Sequence, residues 1–210
     1  MTKSNNLRAD TVIVLDFETT GLSPDGGDRA IEIGAVRVEG GRITDRYQSL
    51  MNPGQRISGF IEDYTGITNS MLKAAPPCKV VMAEFSDFIE DYNLVAHNAS
   101  FDSRFLQAEL RRLRRLVQGK FACSMLLARR MYQHAPNHKL GTLVAYHQLP
   151  NDGTFHRALA DAEMTTHLWL KMLSDLTESY GLTDVPFTLM QKIGKTPKAS
   201  VVRLLKGMVK

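Results

Sequence analysis

A chain of 210 residues with a net charge of +4 and ordinary apolar (43%) and charged (23%) content can bury a core and is too mixed in composition to stay unfolded. Its first ten residues, MTKSNNLRAD, lack the apolar run of a secretory signal, and no apolar stretch in the chain is long enough to cross a bilayer. Two isolated cysteines, Cys78 and Cys123, exclude a disulfide framework and a zinc knuckle, so a reduced, cytoplasmic protein with no membrane partner is the expectation.

Residues 11–16, TVIVLD, are a β-branched run that predicts a buried strand. Pro24, Gly26 and Gly27 supply turn chemistry before a second strand over 30–38. Apolar parity shifts inside that strand, from Ile31 and Ile33 to Val36 and Val38, which predicts a bulge at Gly34 and Ala35. Gly40 and Gly41 mark a hairpin into a third strand over 43–50, completing an antiparallel meander. Helical pieces follow at 58–64, 69–73 and 79–91, then a strand at 94–97, a helix over 100–116 and a strand at 121–124. Further helices are expected from there to 134, over 140–146 and over 157–180. A meander followed by alternating helix and strand implies an α/β fold, a mixed sheet with helices on both faces. Arg104, Arg111, Arg112, Arg114, Arg115, Lys120, Arg129 and Arg130 form one basic stretch, and Lys192, Lys195, Lys198, Arg203, Lys206 and Lys210 another. Both could track phosphates, although on charge alone a solvated helix face and a solubilising tail are the simpler account. The tail, punctuated by Pro186 and Pro197, is expected to pack loosely.

Asp16 and Glu18 lie two apart at the end of the first strand, so period-two geometry points both carboxylates to one face. Asp102 shares a helical stripe with Phe105, Leu106, Leu110 and Leu113, and Asp161 shares one with Ala158, Leu168 and Met172. Acids on faces that should be buried are costly unless paired or bound to a cation. A helix-start dipole or an arginine partner would also accommodate either. Four acids from separate segments could converge on two divalent cations, with Mg²⁺ or Mn²⁺ suiting an all-oxygen ligand set. His156 stands at a helix start, after a turn at Asp152 and Gly153, and an imidazole can take a proton from water near neutral pH. His97 ends the fourth strand beside the proposed site and is expected to serve packing or to support the site from behind, not catalysis. His134 and His138, separated by a helix-breaking Pro136, are expected in a loop.

Asp16-Phe-Glu18-Thr-Thr-Gly21, Asn98-Ala-Ser-Phe101-Asp102 and His156-Arg-Ala158-Leu-Ala-Asp161 together resemble the three exonuclease motifs of the DEDD superfamily. Arg157 stands where a sister branch carries tyrosine, so the histidine branch is the match, closest in form to bacterial DNA polymerase III proofreading (epsilon) subunits and their free-standing relatives. The resemblance covers residues 11–173. It implies a ribonuclease H-like fold with a five-stranded mixed sheet, with residues 1–180 as the exonuclease domain and 181–210 as a basic C-terminal extension. It also implies that Asp16, Glu18, Asp102 and Asp161 hold two Mg²⁺ ions, with Mn²⁺ able to substitute, while His156 activates the attacking water. Thr65-Gly66-Ile67-Thr68 resembles a family segment, often His-Gly-Ile-Thr, that lines the 3′-nucleotide pocket. By the same resemblance Thr19, Leu22, Thr65, Asn98 and Phe101 are candidates to contact the terminal nucleotide.

These features predict a 3′→5′ exonuclease that releases 5′-mononucleotides, with DNA favoured over RNA and single-stranded or frayed ends preferred. A polymerase or repair complex is the expected protein partner. No sliding-clamp motif follows Leu173 and no polymerase or helicase segment is present, which favours a free-standing enzyme. The nearest alternative is an RNA exonuclease similar to ribonuclease T or oligoribonuclease. A non-catalytic nucleic-acid-binding module would be expected to have lost one of the five site residues, and all five are present.

Overall fold

The meander that opens the chain builds one half of a five-stranded sheet, and the alternating segments build the other. The computed structural model describes residues 8–151, 153 and 156–208. The strands are β1 (Val12–Thr19), β2 (Ala30–Glu39), β3 (Arg42–Leu50), β4 (Leu94–Ala96) and β5 (Phe121–Cys123), in the order β3-β2-β1-β4-β5. β1, β2 and β3 pair antiparallel, while β4 and β5 add parallel to β1. The sheet is therefore mixed, as expected.

Helices cover both faces, and each face has its own core. On one side Val12, Val14, Val36 and Val38 pack against Leu168, Trp169, Met172 and Leu176 of α7 (Ala158–Tyr180). On the other, Ile13, Leu15, Ile33 and Ala35 pack against Val81 and Phe85 of α3 (Cys78–Ile89) and Phe105, Leu106 and Leu110 of α4 (Ser100–Arg112). A small satellite cluster joins Ile31 to Ile57, Ile67 and Leu72 beneath α1 (Gly59–Thr65) and α2 (Asn69–Ala74). No described helix is long and apolar enough to cross a membrane.

Several expectations need correction. The ladder is regular at the predicted bulge, where Leu15 faces Ala35 and Asp16 faces Gly34. The irregularities lie elsewhere: Ile31 is skipped between Glu18↔Glu32 and Thr19↔Ala30, and Thr44 between Arg37↔Asp45 and Val38↔Ile43. Because both faces of β2 are covered, both parities are buried and alternation ceases to report which side is inside. α4 stops at Arg112, short of residue 116, because Arg114 adopts a left-handed conformation (φ 57°) and the Arg115 amide closes back on the Leu110 carbonyl at 2.9 Å.

The tail does not pack loosely. After α5 (Ser124–Met131) and α6 (Leu140–Tyr146), residues beyond α7 form α8 (Phe187–Lys195) and α9 (Val201–Lys206). Phe187, Leu189, Met190 and Ile193 of α8, with Val201 and Leu205 of α9, are buried in the α7-side core. Their helical spacing lies between lysines, so a positive composition masked an apolar stripe. The arginine stretch is also partly engaged within the chain: Arg112 pairs with Glu109, and Arg115 with Asp87. The turn expected at Asp152 falls outside the described residues, as does Lys210.

Candidate active site

Asp16 and Glu18 end β1 on its α7 side, where the strand runs out past the short β4 partner. The first turn of α7 lies over the same spot and brings Asp161, so carboxylate oxygens of Asp16, Glu18 and Asp161 lie within 4.8 Å of one another. Asp102 arrives from the opposite face in the first turn of α4. It is 1% exposed, and its Oδ1 accepts the Phe17 amide of β1 at 3.2 Å. The backbone of His156 is in the left-handed region (φ 61°), and its amide donates to Asp161 Oδ2 at 3.0 Å. This places an exposed imidazole beside Asp161.

The cluster is electrostatically strained. Burial, then repulsion from Asp102, Asp161, Glu18 and Glu32, holds Asp16 well above the usual carboxylate range. Burial and the charges of Asp161, Glu32 and Asp102 push Glu18 up to about 8. Burial pushes Asp102 up to about 7 against hydrogen bonds to its carboxylate, and burial raises Asp161 as well. Acids left this way call for a divalent cation, and an all-carboxylate set suits a hard, oxygen-seeking one.

The linkage has a definite sign. Folded-state values above those of the unfolded chain mean a contribution to stability fully present below about pH 4, which is lost as pH rises through about 7 to 8. In EDTA the melting temperature is therefore expected to fall between pH 6 and pH 9. A divalent cation at 100 times its Kd should restore roughly 5–10 °C, with proton release on binding. A cation-induced gain that is absent, or that does not grow with pH, would count against this site.

An exonuclease family model matches residues 13–169. The chain is 33% identical to the DNA polymerase III subunit epsilon of Aquifex aeolicus, over 86% of this chain and 89% of that protein. The chain belongs to the exonuclease family. It is also 36% identical to the PolC-type DNA polymerase III of Caldanaerobacter subterraneus over 92% of its own length, but spans only 14% of that polymerase. Exonuclease X, solved in complex with 5′-overhanging duplex DNA, superposes with a TM-score of 0.68 at 27% identity, over 87% of this chain and 99% of that one. The motif resemblance and the ribonuclease H-like fold are thereby established.

The residues expected at the exonuclease's nucleotide pocket are unevenly placed. Leu22 is 77% exposed beside the β1 end, and Asn98, in a left-handed conformation (φ 75°), is exposed where β4 turns into α4. Phe101 is half-buried against Phe105, and Thr19 is buried with its hydroxyl donating to the Gly21 carbonyl. Thr65 is buried too. Its hydroxyl donates to the Ile61 carbonyl and accepts the Ile67 amide, so it is engaged in closing α1 rather than facing outward. Its neighbour Tyr64 is exposed, and the Tyr64 ring lies 4.0 Å from the His156 ring and stacks on Phe60 at 5.9 Å. His97 is bonded to the Ser124 hydroxyl and the His138 carbonyl.

Two neighbours of the site were missed. Tyr64 gives no local signal, since only the fold carries α1 to His156. Glu32 does give one: it interrupts an apolar strand, the same anomaly that marked Asp102, and it is fully buried beside Glu18.

Proposed function

We propose that this exonuclease removes nucleotides one at a time from 3′ ends of DNA, preferring single-stranded or frayed ends and releasing 5′-mononucleotides. The observation that carries the reading is the convergence of Asp16, Glu18 and Asp161 within 4.8 Å, with His156 bonded to Asp161 beside them. Asp16, Glu18, Asp102 and Asp161 would hold two Mg²⁺ ions, with Mn²⁺ able to substitute. When bound, such ions stabilise charge on the attacking and leaving oxygens of a phosphoryl displacement. His156, held by its amide on Asp161, takes the proton from the attacking water. Its left-handed backbone is the kind of local strain that persists where neighbours over-determine it. Leu22, Asn98, Phe101 and Tyr64 border the site and would meet the terminal nucleotide. Two polymerase III relatives and a DNA-bound structural neighbour support DNA as substrate and a polymerase or repair complex as partner.

The test offers the protein, with Mg²⁺, matched 5′-labelled single-stranded DNA, duplex DNA and RNA. A ladder shortening from the 3′ end, fastest on single-stranded DNA, is expected. His156→Ala should reduce turnover by about 10²–10⁴-fold while cation binding persists. Preference for RNA would move the assignment to an RNA exonuclease, and no shortening of any substrate would end the enzymatic reading.

A further inference from the structure

Glu32 is fully buried in β2, opposite Glu18 of β1. Opposed residues on antiparallel strands share a face, so a further carboxylate lies against the acidic cluster on its α7 side. Such a group must be compensated. Arg157 donates to it through Nε at 3.1 Å and Nη2 at 2.8 Å, Gln48 Nε2 donates at 2.9 Å, and the Ala158 amide at 3.1 Å. That amide belongs to the first residue of α7, where helical amides have no partner within the helix. Arg157, at the N-cap position, offers no capping side chain of its own. Glu32 thus caps α7 from a neighbouring strand.

The same short stretch carries the chemistry. Arg157 stands between His156 and α7, and its carbonyl accepts the Asp161 amide at 3.0 Å. The His156 amide in turn donates to the Asp161 carboxylate. A force that fixes Arg157 and Ala158 therefore fixes both the carboxylate and the imidazole.

We propose that Glu32 and Arg157 are a positioning pair that locks the first turn of α7 and so sets Asp161 and His156 for the reaction. The inference rests on the exonuclease reading above. Arg157 acts here by shaping the site, not by holding a substrate phosphate, and the pair does more than stabilise the fold. The two alternatives leave different signatures: a phosphate contact moves KM, and a plain salt bridge moves only the melting temperature.

The experiment compares wild type with Arg157→Gln, Arg157→Lys, Glu32→Gln and the double Glu32→Gln/Arg157→Gln protein, well below their melting temperatures. It measures kcat and KM on 5′-labelled single-stranded DNA and, by calorimetry, Mn²⁺ affinity. Each neutral variant should lose about 10–100-fold in kcat or in Mn²⁺ affinity, as partners behind metal ligands commonly do, with KM moving less than about threefold. The double variant should be no worse than the poorer single one, because each change already breaks the pair. Lysine should rescue only part of the loss, lacking the planar fork that holds both carboxylate oxygens. Values of kcat and Mn²⁺ affinity within about twofold of wild type in both neutral variants would overturn the proposal, as would a loss confined to KM. If Glu32→Gln does not fold, Arg157→Gln, altering a side chain 34% exposed, carries the test. An inactive wild type would reject the exonuclease reading and leave calorimetry to decide on the pair.

Discussion

Asp16→Asn is expected to lower nuclease turnover by about 10³-fold and, in the absence of cations, to raise the melting temperature. The first effect follows from removing a charge at the centre of the only carboxylate triad that can hold a metal ion among the described residues. Metal-borne stabilisation of transition-state charge is worth several kcal/mol, and each 1.4 kcal/mol is tenfold in rate. The second effect follows from the cost the same charge imposes on the empty site. Asp16 is held well above the usual carboxylate range by burial and by four neighbouring acids, so ionising it costs the fold stability. A neutral amide of the same shape removes that cost. At about 2–4 °C per kcal/mol for a chain of this size, a gain of a few degrees in EDTA at pH 8 is expected. The gain should shrink as pH falls and the clustered acids take up protons, and the cation-induced stabilisation should vanish. A variant that melts lower than wild type in EDTA at pH 8 would show that Asp16 is structurally compensated and the strain reading is mistaken.

Gly34→Ala is expected to damage fold and catalysis together. A Cβ at this position would stand 2.1 Å from the Leu159 nitrogen and 2.2 Å from the Ala158 carbonyl carbon. Those are backbone atoms of the first turn of α7, so the helix itself would have to lift. Overpacking of this kind costs about 1–3 kcal/mol, or more where only backbone can give, which corresponds to a fall of about 2–12 °C or more. Asp161 lies in the same turn, and Gly34 is the Cα partner of Asp16. A displacement of about 1 Å at a reacting centre can cost about 10²-fold in rate, so residual soluble protein should be nearly inactive. Calorimetric melting and the single-stranded DNA assay check both halves. Retention of the wild-type melting temperature and of turnover within twofold would mean that α7 does not seat on β2 as closely as described.

The architecture was largely legible in the sequence because it rests on local rules. The TVIVLD run, the Gly40–Gly41 hairpin and the helical stripe below Asp102 each encode burial at a short period. Asp102 was recognisable because an acid on an apolar stripe violates those rules, and it is indeed 1% exposed. The same test applied to Glu32 would have found it, but β2 is covered on both faces and its lost alternation drew attention to a bulge instead. In the tail, lysines outweighed Phe187, Met190 and Ile193 in composition although not in position, so α8 and α9 went unread.

What the sequence determined by itself was the succession of elements up to α7 and the membership of the three motifs, since periodicity, turn chemistry and motif spacing all live within a few neighbouring residues. Only the tertiary structure decided that Asp16, Glu18 and Asp161 meet, that Tyr64 lies against His156, and that Glu32 caps the helix carrying Asp161. Those outcomes depend on which element covers which face and how closely. A side chain's period along the chain reports that it is covered, but carries no information about what covers it.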